Sequence, residues 1–136
     1  MLIAYFDCFS GISGDMTLGA FMDMGVDADW LQNTIRDSLH VDFDLKASRV
    51  HRMGICATQV DVVAKDSHER HYDDICRLIE NAKLSDRVKT TSLKIFDALA
   101  EAEAKIHGQP KAKIHFHELG AVDAIVDIVG VSLCLD

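Results

Sequence analysis

"FDLKAS" at Phe43–Ser48 and "ICATQVDVVAK" at Ile55–Lys65 decide the fold class of this chain. In the first, Phe43, Leu45 and Ala47 alternate with charged or polar neighbours; in the second, Cys56, Thr58, Val60 and Val62 set the same rhythm. A period of two puts alternate side chains on one face of an extended chain, so each stretch reads as a half-buried strand. Gly54 lies near the turn, and the pair reads as an antiparallel hairpin.

Outward from the hairpin the period becomes that of a helix. Upstream, Asp27 caps "ADWLQNTIRDSL", with Leu31, Ile35 and Leu39 on one stripe. Before it, "DMTLGAFMDMG" spaces Met16, Ala20, Phe21 and Met24 helically and closes on Gly25. The chain opens with "LIAYFD", a short apolar run that reads as a buried strand ending at Asp7. Downstream, "DSHERHYDD" is a polar connection, and Ile75, Leu78, Ile79 and Ala82 mark a third helix. Ser85 opens a longer fourth, with Val88, Phe96, Leu99 and Ile106 toward the core and Gly108 and Pro110 at its end. A short extended piece at Ile114–Phe116 leads into a final helix, apolar almost all round, that runs to Asp136. The expectation is an α+β fold: a short N-terminal strand and an antiparallel hairpin packed against several helices. Residues 1–136 are expected to form one domain, and the greasy last helix leads to the expectation that it is the N-terminal piece of a longer protein.

Composition narrows the function classes. Twenty-two acids against 14 bases give a formal charge of −8, which argues against nucleic acid as the main partner, since phosphates need a basic face. The four cysteines, at 8, 56, 76 and 134, never fall into a C-x-x-C spacing, so a zinc ribbon or thioredoxin-type motif is absent. Free thiols in a cytoplasmic protein are the simplest reading. The N-terminus has neither a basic region nor a cleavage site, and no run of about 20 uncharged apolar residues spans a membrane.

Three constellations carry potential chemistry. The first is "DCFSGISGD", Asp7–Asp15, a Ser/Gly turn entering a helix. A helix N-terminus offers free N–H groups and partial positive charge, a natural cradle for phosphate or carboxylate. No lysine follows the glycines, so it is not a Walker loop. Asp7, Ser10, Ser13 and Asp15 are its candidate catalytic groups, with Gly11 and Gly14 against the ligand. Structurally, the same residues read as a tight turn with Asp15 near the helix start. The second is "HFHELGAVDAIVD". Extended chain would put His115 and His117 on one face, with Glu118 close by. Asp123 and Asp127 lie four apart on the helix that follows and so share a stripe. Such His/Glu/Asp sets suit Ni, Zn, Co or Mn. The bland alternative pairs those aspartates with lysine or arginine from elsewhere. The third is His68 and His71, an H-x-x-H on a polar segment that reads equally as a solvated connection.

Four blocks, "FDCFSGISGDMTLGA", "HERHYDDICRLI", "IFDALAEAEAKIHG" and "HFHELGAVDAIVDIVG", together resemble the LarC family of nickel-insertion proteins of lactate racemase maturation. The resemblance implies insertion of Ni(II) into pyridinium-3,5-bisthiocarboxylic acid mononucleotide by a CTP-dependent cyclometallase of the lyase class. The product would be the nickel-pincer nucleotide, bonded to nickel through carbon and sulfur. It further implies that CTP, with Mn or Mg, binds a C-terminal part lying beyond these residues, and that this domain alone is not fully active. The implied partners are the pyridinium mononucleotide, that C-terminal part and further copies in a homo-oligomer. The metal candidates are His68, His71, His115, His117, Glu118, Asp123 and Asp127. Many relatives carry a histidine-rich tract before the H-Y-x-D-I segment. Here only His68 and His71 remain, which weakens a storage role for that region. Two other functions fit the bare residues: a metal-dependent hydrolase of nucleotides or phosphate esters, and a non-catalytic interaction domain.

Overall fold

The structure, a computed structural model, describes residues 3–65, 70–111 and 122–136. Its elements run α1 (Gly14–Asp23), α2 (Ala28–Leu39), β1 (Phe43–Arg52), β2 (Ile55–Ala64), α3 (Tyr72–Asn81), α4 (Asp86–His107) and α5 (Val122–Cys134). The fold is α+β. β1 and β2 pair antiparallel from Phe43 opposite Ala64 to Arg52 opposite Ile55. Met53 and Gly54 close the hairpin with φ of 51° and 81°. Two successive positive φ values are the hallmark of the turn whose twist matches a two-residue hairpin.

Local signals explain most boundaries. The Asp27 carboxylate accepts the Trp30 N–H at 2.7 Å, and the Ser85 hydroxyl accepts the Val88 N–H at 3.2 Å; each satisfies an otherwise open donor of a first turn. Gly108 ends α4 in the left-handed region. Arg36 fastens the end of α2 to the hairpin, donating from Nε to the Phe43 carbonyl at 2.9 Å and pairing with Asp44 at 2.8 Å. At the far end, the Ser85 hydroxyl also donates to Asp136 at 2.7 Å, tying the start of α4 to the chain beyond α5.

The core gathers Leu18, Leu31, Ile35, Phe43, Val60, Ile75, Ile79, Phe96 and the α5 side chains Val122, Ile125, Val126 and Val129. α5 is the central helix, touching α1, α2, α4 and β2. Two glycines set how closely α1 approaches its neighbours. A Cβ at Gly19 would collide with the Thr58 carbonyl oxygen of β2, and one at Gly14 would stand 2.5 Å from the Asp127 Cβ of α5. α1 therefore packs through bare backbone.

The structure corrects several details. Among the described residues the N-terminal strand does not form: residues 3–8 are neither helix nor strand, and Tyr5 and Phe9 are 88% and 97% exposed. A strand needs a hydrogen-bonding neighbour, and among the described residues this segment has none. The buried face of α1 is Thr17, Leu18, Gly19 and Phe21, while Met16, Ala20 and Met24 face outward, because the glycine contact turns the Gly19 side toward β2. On α4 the inner stripe is Val88, Ser92, Phe96 and Ala100; Leu99 is half-buried and Ile106 is 76% exposed, since the last turn overhangs the core. Toward its turn the hairpin also outruns the helices, leaving Ala47 and Cys56 exposed. Ile114–Phe116 lies outside the described residues.

Candidate functional site

The α1 N-terminus and the polar side of α5 meet. Ser13 is the N-cap of α1, but its hydroxyl donates to the Asp15 carboxylate rather than accepting a backbone N–H. The cradle foreseen for a ligand anion instead faces a carboxylate of the chain itself: the Asp15 N–H donates to Asp127. Gly14 makes this possible, since any side chain there would strike Asp127.

Around this contact lies a cleft of about 200 Å³ lined by Asp15, Val60, Asp61, Val62, Asp123 and Asp127. Four carboxylates share it. Among the described residues, no lysine, arginine or histidine pairs with any of them. Asp61 accepts the neighbouring Gln59 amide at 3.1 Å, and Asp123 accepts the N–H of Ala124 at 2.9 Å. The basic partners of the bland alternative are thus not found among the described residues. Asp127 carries the tension: its Oδ1 is buried and has no hydrogen-bond partner among the described residues. Burial, then the charges of Asp15 and Asp123, push its carboxyl up to about 6, against the opposing pull of the Asp15 N–H. A divalent cation in the cleft would reverse that balance, because it favours every ionised carboxylate at once.

The carboxylates alone are an incomplete shell. Among the described residues, no three His, Cys, Asp or Glu side chains stand close enough to hold a metal ion. Of the sequence candidates, the structure brings Gly14, Asp15, Asp123 and Asp127 together. Ser13 reaches the group through Asp15. Asp7, Ser10 and Gly11 stand in the exposed segment before α1, where the Gly11 N–H donates to the Cys8 carbonyl at 3.0 Å. His71 is the N-cap of α3, its backbone N–H donating to Asp74 at 3.3 Å. His68, His115, His117 and Glu118 lie outside the described residues. Sequence reading missed Asp61. It sits between Val60 and Val62 on the solvent side of a strand, and only the tertiary approach of β2 to α1 and α5 brings it to the cleft.

The cysteines are free thiols. Burial raises the Cys134 thiol to about 11, that of an inert core group. No helix among the described residues is long and apolar enough to cross a membrane.

Comparison with known proteins adds what geometry cannot. The profile of a family described as "Nickel insertion protein" matches residues 4–136. The "Putative nickel insertion protein" of Geotalea uraniireducens is 47% identical over 139 residues, covering all of this chain and 36% of the relative. The "Pyridinium-3,5-bisthiocarboxylic acid mononucleotide nickel insertion protein" of Clostridium kluyveri is 43% identical over 150 residues, covering all of this chain and 38% of the relative. A relative in Roseiflexus castenholzii reaches 50% identity over 136 residues. This chain thus spans little more than a third of the length of the curated relatives it matches. No solved structure gives a significant match.

Proposed function

The chain belongs to the nickel insertion protein family, and from that premise we propose that it is the N-terminal domain of a nickel insertase. The substrates would be Ni(II) and pyridinium-3,5-bisthiocarboxylic acid mononucleotide, the molecule named for the Clostridium kluyveri relative. The observation that carries this reading is the cleft of Asp15, Asp61, Asp123 and Asp127, which among the described residues has no basic partner and one buried oxygen without a hydrogen bond.

Insertion requires a metal held firmly enough to be collected and loosely enough to leave. Carboxylate and imidazole donors meet that requirement for Ni(II) better than a closed cage of thiolates would. In this reading Asp123 and Asp127 hold nickel from α5, His115, His117 and Glu118 complete the shell from the preceding segment, and His68 and His71 take up or pass the ion. The turn of Asp7, Ser10, Gly11, Ser13, Gly14 and Asp15 holds part of the mononucleotide. Nickel would then leave these ligands as it bonds to the thiocarboxylate sulfurs and to a carbon of the pyridinium ring, which gives up its proton to solvent. The finer elements are part of the same proposal: CTP with Mn or Mg acting in the remainder of the longer protein, a lyase-class cyclometallation, supply of the cofactor to lactate racemase, a cytoplasmic setting and a homo-oligomer.

Calorimetric titration of Ni(II) into this chain tests the reading. The expected result is binding tighter than about 1 mM, abolished in a His115→Ala/His117→Ala double variant and weakened in Asp123→Asn/Asp127→Asn. Binding that is absent, or indifferent to both pairs, refutes it. Metal-dependent phosphate release from simple nucleotides would favour a hydrolase instead.

A further inference from the structure

The segment leading into α1 holds large apolar side chains in water. Ile3, Tyr5, Phe9 and Met16 are 74%, 88%, 97% and 60% exposed, and contiguous apolar surface of this kind marks a binding face. Phe6, edge-on to Phe21 of α1 with ring centres 6.1 Å apart, and Cys8 lean on the fold, while Tyr5, Asp7 and Phe9 face solvent. Phe9 is also held in place. The Gly11 N–H donates to the Cys8 carbonyl at 3.0 Å, with Gly11 at φ 83°, so Cys8–Gly11 is a closed turn and Phe9 its first central residue.

The charge around this ring has one sign. The first 35 residues carry five aspartates and no lysine, arginine or histidine. Among the described residues, the Asp7 carboxylate has no hydrogen-bonding or ionic partner, and the Tyr5 and Phe9 rings meet no other ring or cation. A wholly apolar cover, such as a neighbouring protein face, would take Asp7 out of water with nothing to compensate it. A flat cation satisfies both groups at once, its face on the Phe9 ring and its charge beside Asp7. The mononucleotide named for the Clostridium kluyveri relative contains one flat cation, its pyridinium ring.

We propose that Phe9 is the platform on which the pyridinium ring of the mononucleotide stacks, with Asp7 as the counter-charge. The inference rests on the nickel-insertase reading above. It adds which end of the substrate this turn grips: the ring, with the phosphate a ribose away from the acids.

The test uses two probes. Nicotinic acid mononucleotide carries a pyridinium ring on a ribose phosphate; uridine monophosphate carries an uncharged ring there. Each is titrated by calorimetry into this chain and into Phe9→Leu, Phe9→Tyr and Asp7→Asn. Phe9→Leu keeps an apolar side chain without a ring and should weaken the pyridinium probe roughly tenfold. Asp7→Asn should weaken it about threefold, and Phe9→Tyr should bind it like the unaltered chain. Uridine monophosphate should show no dependence on Phe9, and thermal unfolding midpoints should hold steady, since Phe9 lies outside the core. In a Trp30→Phe background, Phe9→Trp puts the only indole of the chain on this turn. The pyridinium probe should quench its emission by accepting charge from it, and uridine monophosphate should not.

Pyridinium binding indifferent to Phe9→Leu overturns the platform, and so does an equal loss of uridine monophosphate. A Phe9→Leu chain that sediments as a smaller species, with pyridinium affinity intact, assigns the patch to a second copy and also overturns it. Uptake of Ni(II) without any binding of the pyridinium probe removes the platform and leaves the nickel reading standing. Ring-dependent binding of the probe without Ni(II) uptake does the reverse.

Discussion

Replacing Asp127 with asparagine should make the metal-free protein more stable at neutral pH while impairing its hold on nickel. The folded-state carboxyl lies at about 6, against an ordinary value of 3.8. At 1.36 kcal/mol per pKa unit the full shift corresponds to about 3 kcal/mol. Asp127 is only half-buried, and solvent screening reduces this to about 1–2 kcal/mol. The sign follows from proton uptake. Between about pH 4 and pH 6 the folded state binds more protons at this site than the unfolded state, so the contribution of Asp127 to stability falls as pH rises through that window and is constant above it. The variant lacks this penalty. Its advantage should be near zero at about pH 4, grow through the window and level off at about 1–2 kcal/mol by pH 7.5. Urea unfolding of both proteins in the presence of chelator, followed by Trp30 fluorescence at several pH values, gives the difference directly if the slopes with urea agree. A difference that is flat with pH, or that favours the unaltered chain at pH 7.5, would refute the account of Asp127 as a carboxylate held against its preference.

Further outcomes follow from the packing and turns. Gly19→Ala should cost about 1–3 kcal/mol or prevent folding, because the obstacle is the Thr58 backbone and cannot rotate away; the urea midpoint reads this. Met53→Asn should raise stability by about 0.5–1 kcal/mol, measured the same way, since asparagine tolerates the positive φ that methionine adopts there. Asp27→Ala removes the cap of α2 and should cost about 1 kcal/mol, again read from the urea midpoint. Asp23 is held low by Thr58 and Arg49, and Asp44 by Lys65 and Arg36. The stability these two contribute is present above the ordinary carboxylate range and should fade as pH drops below about 4, which unfolding of Asp23→Asn and Asp44→Asn at low pH will show as a loss of acid sensitivity.

The parts of the molecule governed by local rules were the legible ones. Alternation at Phe43–Leu45 and Thr58–Val60–Val62 gave the hairpin, and caps at Asp27, Ser85 and Gly108 gave helix ends. The strand expected at the N-terminus finds no pairing neighbour among the described residues, and an apolar run does not state whether one will be there. The inner face of α1 was not legible from the apolar spacing, because Gly19, without a side chain, contributes nothing to a hydrophobic pattern yet decides which side touches β2. The candidate site divides along the same line. Asp123 and Asp127 were found because acids inside a greasy helix break a pattern. Asp61 breaks none, since a solvent-side aspartate on an alternating strand is ordinary, and its membership of the cleft is purely tertiary.

The bare-backbone contacts of α1 have a consequence for how this cleft could respond to an ion. With Gly19 seated on the Thr58 carbonyl, no side chain lies between the helix and the β2 wall to absorb a shift, while at Gly14 the Asp127 side chain alone stands between α1 and α5. Widening the gap on the β2 side would mean prising main chain from main chain, so that span behaves as a fixed gauge. Discrimination among ions of different radius then falls to rotation of the aspartate side chains. An effort to retune selectivity would do better to exchange those groups one at a time than to redesign the loops around them.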